Sequence, residues 1–151
     1  MRLKVSSAAS DTFERLGLTD CVSYVHDVPD QRIVELYSEA EVAVVPSLYE
    51  GFSLPAIEAM SCGVPLVTTT GGALPEVTGT HNEPCFQVPP GDSDALATMI
   101  RTVLDAPDAR ERVGANGRQR VIDHWSWRHT AERTVEQYRA LLADHQTAPR
   151  R

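Results

Sequence analysis

Residues 47–77 read SLYEGFSLPAIEAMSCGVPLVTTTGGALPEV, and the order of signals in this stretch decides the fold. A loop carries Glu50, Gly51 and Phe52. Ser53 stands where an N-cap belongs, and Leu54 to Ser61 follows as a short helix that Gly63 stops. Pro55 is tolerated because first-turn N–H groups have no helical acceptor anyway. Residues 65–69 (PLVTT) then form a buried strand, followed by the flexible pair Gly71-Gly72. Just upstream, residues 42–46 (VAVVP) form a continuous apolar run, as expected of a strand covered on both faces.

Further out, the same alternation continues. Residues 3–6 and the alternating residues 21–25 (CVSYV) predict strands, and Asp11 caps a short helix ending near Gly17. Asp30 is a candidate N-cap for a helix with Ile33, Leu36, Tyr37 and Ala40 as its apolar stripe. Downstream, residues 86–88 are a last strand and Pro89-Pro90-Gly91 a turn. Asp92 or Ser93 caps a helix to Ala106, and a second runs from Asp108 to Asp123. Trp125-Ser126-Trp127 breaks the pattern, and Ser126 caps a final helix to Leu142. Strand–helix alternation specifies an α/β fold: a Rossmann-like parallel sheet with helices on both faces and the ligand site at the carboxyl ends of the strands. Residues 1–145 form this domain and 146–151 a loose tail.

Composition narrows the function. With 151 residues, 42% of them hydrophobic and 23% charged, the chain is neither disordered nor a disulfide scaffold. No apolar run approaches the roughly 20 residues of a membrane helix, and no secretory signal is visible. Net charge is -7, and Lys4 is the only lysine, so the clustered cations of a nucleic-acid footprint are missing. The basic stretch from Arg110 to Arg120 is interleaved with other residues and reads as a solvated helix face. Three widely spaced cysteines and five scattered histidines give no metal-ligand spacing; Cys21 and Cys62 read as small buried hydrophobes in a reducing cytosol. No G-x-S-x-G or G-x-G-x-x-G is present, so neither a serine hydrolase nor a dinucleotide cofactor is expected.

The chemistry gathers at the front of the Leu54–Ser61 helix. Gly51 lets backbone approach a ligand, and the N–H groups of Ser53 and Leu54 sit where a helix begins. Free amides and the helix dipole hold phosphate without lysine. Glu58, in the second turn, offers a carboxylate to the two hydroxyls of a ribose, and Glu50 lies where a sugar's hydroxyls can be held. The plain alternative is that Glu58 is a solvated helix residue and Glu50 a turn residue.

The whole segment from Pro46 to Val77 resembles the donor-binding signature of retaining glycosyltransferases of the GT-B fold, the glycosyl transferases group 1 or family 4 type. That signature reads E-G-F-G/S-L-P-x-x-E, A-x-x-x-G-x-P-V and G-G-x-P-E. It is matched by Glu50 to Glu58, Ala59 to Leu66 and Gly71 to Glu76. The helix over 30–41, the turn VPPGDSDA over 88–95 and Trp125–Arg128 extend the likeness to nearly the whole chain. The resemblance implies a hexosyltransferase using a nucleotide-diphosphate sugar, metal-independent and without a cofactor. Glu58 would bind the ribose, and the amides of Ser53 and Leu54 the distal phosphate. Glu50, as the catalytic residue, would orient the transferred hexose together with Gly51 and Phe52.

The family's pattern also has parts that this sequence lacks: an N-terminal acceptor domain, and a strand with a Gly-Arg loop and a lysine before Leu3. In the 3-2-1-4-5-6 strand order that strand is central. His26 replaces a small residue near the expected base site. The expected partners are a nucleotide sugar and an acceptor domain in cis or in trans, with no nucleic acid and no membrane span. The expected setting is cytoplasmic, with any peripheral membrane contact made through the acceptor half, and the isolated chain is expected to be inactive. Trp125 and Trp127 are either core anchors or packing for a helix that reaches another domain; in the second case exposed apolar surface favours self-association. Two other functions compete: a non-catalytic sugar-nucleotide-binding or subunit module, and a glycoside hydrolase with Glu50 and Glu58 as its carboxylate pair.

Overall fold

The computed structural model describes residues 7–25, 27–79 and 81–147. The chain divides into two compact units, Met1–Ile33 and Val34–Arg151. In the first, helix α1 (Ser7–Arg15) ends two residues before Gly17, and Phe13 and Tyr24 meet edge to face at 5.9 Å. The predicted strand over 21–25 is not formed: Cys21 lies in a turn, and Cys21, Ser23, Tyr24 and Val25 are exposed. A parallel strand exists only beside a hydrogen-bonded neighbour, and none of the described residues supplies one. Cys21 is accordingly not a buried hydrophobe, whereas Cys85 is fully enclosed and Cys62 half-buried. The strand expected over 3–6, and His26, lie outside the described residues. Helix α2 (Asp30–Glu39) forms as expected, with Asp30 its first residue rather than its cap.

The second unit carries three parallel strands, β1 (Ala43–Val45), β2 (Leu66–Thr69) and β3 (Phe86–Val88), in the order β1-β2-β3. Val67 pairs with Val44 on one side and Phe86 on the other. Alternation along β2 sends Leu66 and Val67 to opposite faces. Leu66 joins a cluster with Ala56, Ala59 and Met60 of helix α3 (Leu54–Ser61) and Leu74 of helix α4 (Leu74–Thr78). Val67 joins Phe86 with Val103 of helix α5 (Ser93–Leu104) and Val113 of helix α6 (Pro107–His124). Helices therefore cover both faces, as the strand–helix alternation predicts. β2, the middle strand, is buried throughout. β1 departs from expectation: Val44 is 37% exposed, so its outer face is open rather than covered.

Helix α3 keeps the expected bounds, and Asp92 caps α5 by accepting from the Ala95 amide at 2.8 Å. Helix α4 was not expected; between the strands over 65–69 and 86–88 the sequence reads only as the flexible pair Gly71-Gly72. Helix α7 (Trp127–Thr147) runs five residues further than predicted, and Ser126 caps it through the His129 amide at 3.2 Å. Among the described residues no helix is long and apolar enough to cross a membrane.

Helix α6 packs tightly against α3 and the turn that follows it, and two glycines of α6 allow it. A Cβ on Gly114 would collide with the carbonyl of Gly63, and one on Gly117 would press on the Pro84 carbonyl and Met60. Mid-helix glycine costs roughly 0.5–1 kcal/mol against alanine, so its use here is explained by the missing Cβ. Gly114→Ala is therefore expected to lower unfolding free energy by about 1–3 kcal/mol in urea denaturation, despite its better helix propensity. Gly51→Ala, whose Cβ would meet nothing within 4 Å, is the neutral control.

Candidate functional site

Two loops lie side by side at the carboxyl ends of β1 and β2, and they touch through backbone. Glu50 and Gly72 form a parallel bridge, and the Ala73 amide donates to the Glu50 carbonyl at 2.8 Å. Gly72 has φ +63°, and a Cβ there would strike Glu50; one on Gly71 would strike the Leu48 carbonyl. The glycine pair is thus a fitted contact, not the flexible turn expected. Thr69 tightens it, its hydroxyl donating to the Ser47 carbonyl at 2.5 Å and accepting from the Gly71 amide at 3.3 Å.

This contact fixes Glu50 at the backbone, and Ser47 orients its side chain. The Ser47 hydroxyl donates to Oε1 of Glu50 at 2.7 Å, leaving the half-buried carboxylate further acceptor capacity. Gly51 and Phe52 follow, both exposed, and Phe52 meets Trp125 edge to face at 5.3 Å. Trp125 is held in turn by its indole N–H, which donates to the Val77 carbonyl of α4 at 3.0 Å.

Helix α3 starts open. Leu54 is 61% exposed, and its amide donates to none of the described residues. Glu58 is exposed as well. Four residues apart, Leu54 and Glu58 lie on one helix face, about 6 Å along the axis. Ser53 occupies the N-cap position but does not cap. It is fully buried, and its hydroxyl is an unpaired buried polar side-chain atom among the described residues. The expected capping bond is absent, and in this conformation neither the hydroxyl nor the amide of Ser53 is open to a ligand.

Behind α3, the Tyr37 hydroxyl of α2 donates to the Pro55 carbonyl at 3.4 Å. Burial, and then the negative charge of Glu58 and the Cys62 thiol, push the Tyr37 phenol up from its ordinary range, which keeps it a donor. The structure therefore gathers Glu50, Gly51, Phe52, Ser53 and Leu54 at the front of α3, with Glu58 one turn behind. Ser47, Tyr37 and Trp125 are added partners that spacing did not single out. Ser47, three residues before Glu50, was within reach of a local reading; Trp125 is brought in only by the tertiary fold. Among the described residues no three His, Cys, Asp or Glu side chains gather as a metal site would need.

Comparison with known proteins gives these positions a context. The sequence model of the family described as Glycosyl transferases group 1 matches residues 7–120. Over 142 residues the chain is 40% identical to an MMP alpha-(1->4)-mannosyltransferase of Mycolicibacterium hassiacum, covering 94% of this chain and 34% of that protein. It is 38% identical over 120 residues to the O-antigen chain mannosyltransferase B of Escherichia coli, covering 80% and 30%. Among solved structures it is similar to a sucrose-phosphate synthase from Thermosynechococcus elongatus. There the TM-score is 0.82 and the identity 37%, over 90% of this chain and 34% of that one. The chain spans about a third of the length of these relatives.

The unpaired Ser53 hydroxyl makes a signed prediction. Losing an N-cap serine ordinarily costs about 1 kcal/mol. Here Ser53→Ala removes a buried oxygen that bonds nothing, so thermal or urea unfolding should show stability unchanged or raised by up to about 1 kcal/mol.

Proposed function

The chain belongs to the Glycosyl transferases group 1 family, and from that premise we propose that it binds a nucleotide-diphosphate sugar at the start of α3, as the donor-binding part of a retaining hexosyltransferase of the GT-B fold. The observation that carries this reading is the placement of two carboxylates around an open helix N-terminus. Glu50 is fixed in front of it, and Glu58 stands one turn behind on the face that Leu54 begins.

Each group then has a task set by its chemistry. The Leu54 amide and the helix dipole hold the distal phosphate, joined by the Ser53 amide once the loop over 51–53 opens around it. Glu58 accepts both ribose hydroxyls. Glu50, steadied by Ser47, accepts hydroxyls of the hexose and holds its anomeric carbon towards the acceptor. In transfer, the bond from the anomeric carbon to the phosphate oxygen breaks, and the acceptor oxygen bonds that carbon on the same face. The proton of the acceptor hydroxyl passes to the leaving diphosphate. No metal is needed, because the amides and the dipole already oppose the phosphate charge. The acceptor is bound by protein beyond this chain, since the relatives are about three times as long. By itself the 151-residue chain binds donor without transferring sugar. The family membership favours this reading over a glycoside hydrolase.

Isothermal titration with UDP, GDP and ADP and their sugars tests the proposal. At least one is expected to bind, and Glu58→Ala is expected to weaken it at least about tenfold, as losing hydrogen bonds to a charged group of roughly 1.5–3 kcal/mol each requires. Silence with every donor would instead favour a non-catalytic subunit module.

A further inference from the structure

We propose that the Ser53 side chain is a ligand of the donor's diphosphate, its hydroxyl donating to a phosphate oxygen beside the amides of Ser53 and Leu54. This assignment rests on the donor-binding reading above and adds a side-chain ligand to it. Ser53 carries two donors, and both are buried without an acceptor. The residue is fully enclosed; its hydroxyl bonds nothing and its amide donates to none of the described residues, although its carbonyl accepts from the Ile57 amide at 3.2 Å. Buried N–H and O–H groups are nearly always paired, so two on one residue require a cause. Capping is not that cause. The backbone has the extended conformation of an N-cap, φ -112° and ψ 98°, yet the side chain makes no capping bond. Packing is not the cause either, since alanine would fill the same place and strand no polar atom. Protein beyond this chain does not pair these groups in this conformation, because the chain's own atoms already enclose them.

The missing acceptor is defined by the neighbours. The Leu54 amide, next along the chain, also donates to none of the described residues, and Pro55 has no N–H. Three donors therefore stand on two adjacent residues at the positive end of α3, where an anion is favoured. A phosphate has oxygens enough for all three, and the charge that shortens and strengthens such bonds. The cover over Ser53 is thin. Phe52 and Leu54 on either side of it are exposed, and a Cβ on Gly51 would meet open space. Phe52 is held by its edge-to-face contact with Trp125, which the Val77 carbonyl pins in turn. Opening the segment over 51–53 parts Phe52 from Trp125 and brings both Ser53 donors to the phosphate. The empty site thus leaves a hydroxyl unpaired until the anion arrives.

Urea unfolding and isothermal titration of the parent chain and of Ser53→Ala, with UDP, GDP and ADP as probes, test the assignment. Alanine keeps the amide and removes only the hydroxyl. Ser53→Ala is expected to be no less stable than the parent, yet to bind the nucleotide at least about tenfold more weakly, as the loss of one hydrogen bond to a charged group requires. A serine with a purely structural role would not split the two readouts in this way. In a Trp127→Phe chain, which keeps Trp125 as its one tryptophan, nucleotide binding should change the Trp125 emission as Phe52 leaves it. Unaltered affinity in Ser53→Ala overturns the proposal. So does a loss of stability alongside the loss of affinity, or a Trp125 emission that is the same with and without bound nucleotide. If the parent binds a nucleotide and Glu58→Ala weakens it while Ser53→Ala does not, the hydroxyl assignment alone fails. If no nucleotide binds the parent, the donor-binding reading fails and this assignment with it.

Discussion

The candidate site depends on one contact between two backbones. The loop after β1 and the loop after β2 approach so closely that Gly71 and Gly72 leave no room for a side chain. The approach lets the Ala73 amide bond the Glu50 carbonyl and pairs residue 50 with Gly72 in an isolated parallel bridge beyond the strand ends. The carboxylate of Glu50 is thereby placed by the main chain, and Ser47 has only to orient it. The E-G-F and G-G-x-P-E stretches, some twenty residues apart, are the two sides of this single contact. β2 enforces it from beneath: Thr68 donates to the Val45 carbonyl of β1, and the Thr69 hydroxyl donates to the Ser47 carbonyl of the first loop and accepts from the Gly71 amide of the second, tying both loops to a strand that is buried throughout.

Helix α3 then has to be stable while its front stays open. A capped start would be easier to build, yet Ser53 makes no capping bond and Pro55 has no N–H to give. The support comes from elsewhere. Ala56, Ala59 and Met60 are fully buried, and the glycines of α6 let that helix settle against them. Tyr37 braces the first turn from behind. α4, the short helix after the glycine pair, is held by its C-terminal carbonyls: Arg120 donates to those of Glu76 and Val77, and Trp125 donates to that of Val77 as well. Cations and donors belong at a helix C-terminus, where the unpaired carbonyls and the dipole favour them. This bracing leaves the Leu54 amide unspent, which is what an anion site at a helix start requires.

How far the sequence could be read follows from the range of the forces involved. α3, β1 and β2 are legible because their signals are local: a proline in the first turn and a glycine stop for α3, the unbroken apolar run over 42–46 for β1, and the β-rich run over 65–69 for β2. α4 is not legible, since five residues between a glycine pair and Gly79 are too few to show a period. Residues 21–25 alternate as a strand should, yet a parallel strand is made by its neighbour and not by its own pattern, and here no described neighbour stands beside it. The two acids were legible as candidates because a helix start and its spacing are local facts. That Ser47 grips one of them, that Tyr37 lies against the first turn, and that Ser53 bonds nothing are tertiary facts, and no spacing encodes them.

The two tryptophans around the Ser126 break show how register alone divides one composition between core and surface. Trp125 ends α6 on the side that faces α4, where its indole N–H finds the Val77 carbonyl and its ring meets Phe52. Two residues later the chain has turned, and Trp127 is 89% exposed. The break rotates the apolar stripe of α7 away from a core already closed by α3, α5 and α6. The bare front of α3 and the bare flank of α7 arise differently, one from a cap left unmade and the other from a turn that leads the chain off its own core.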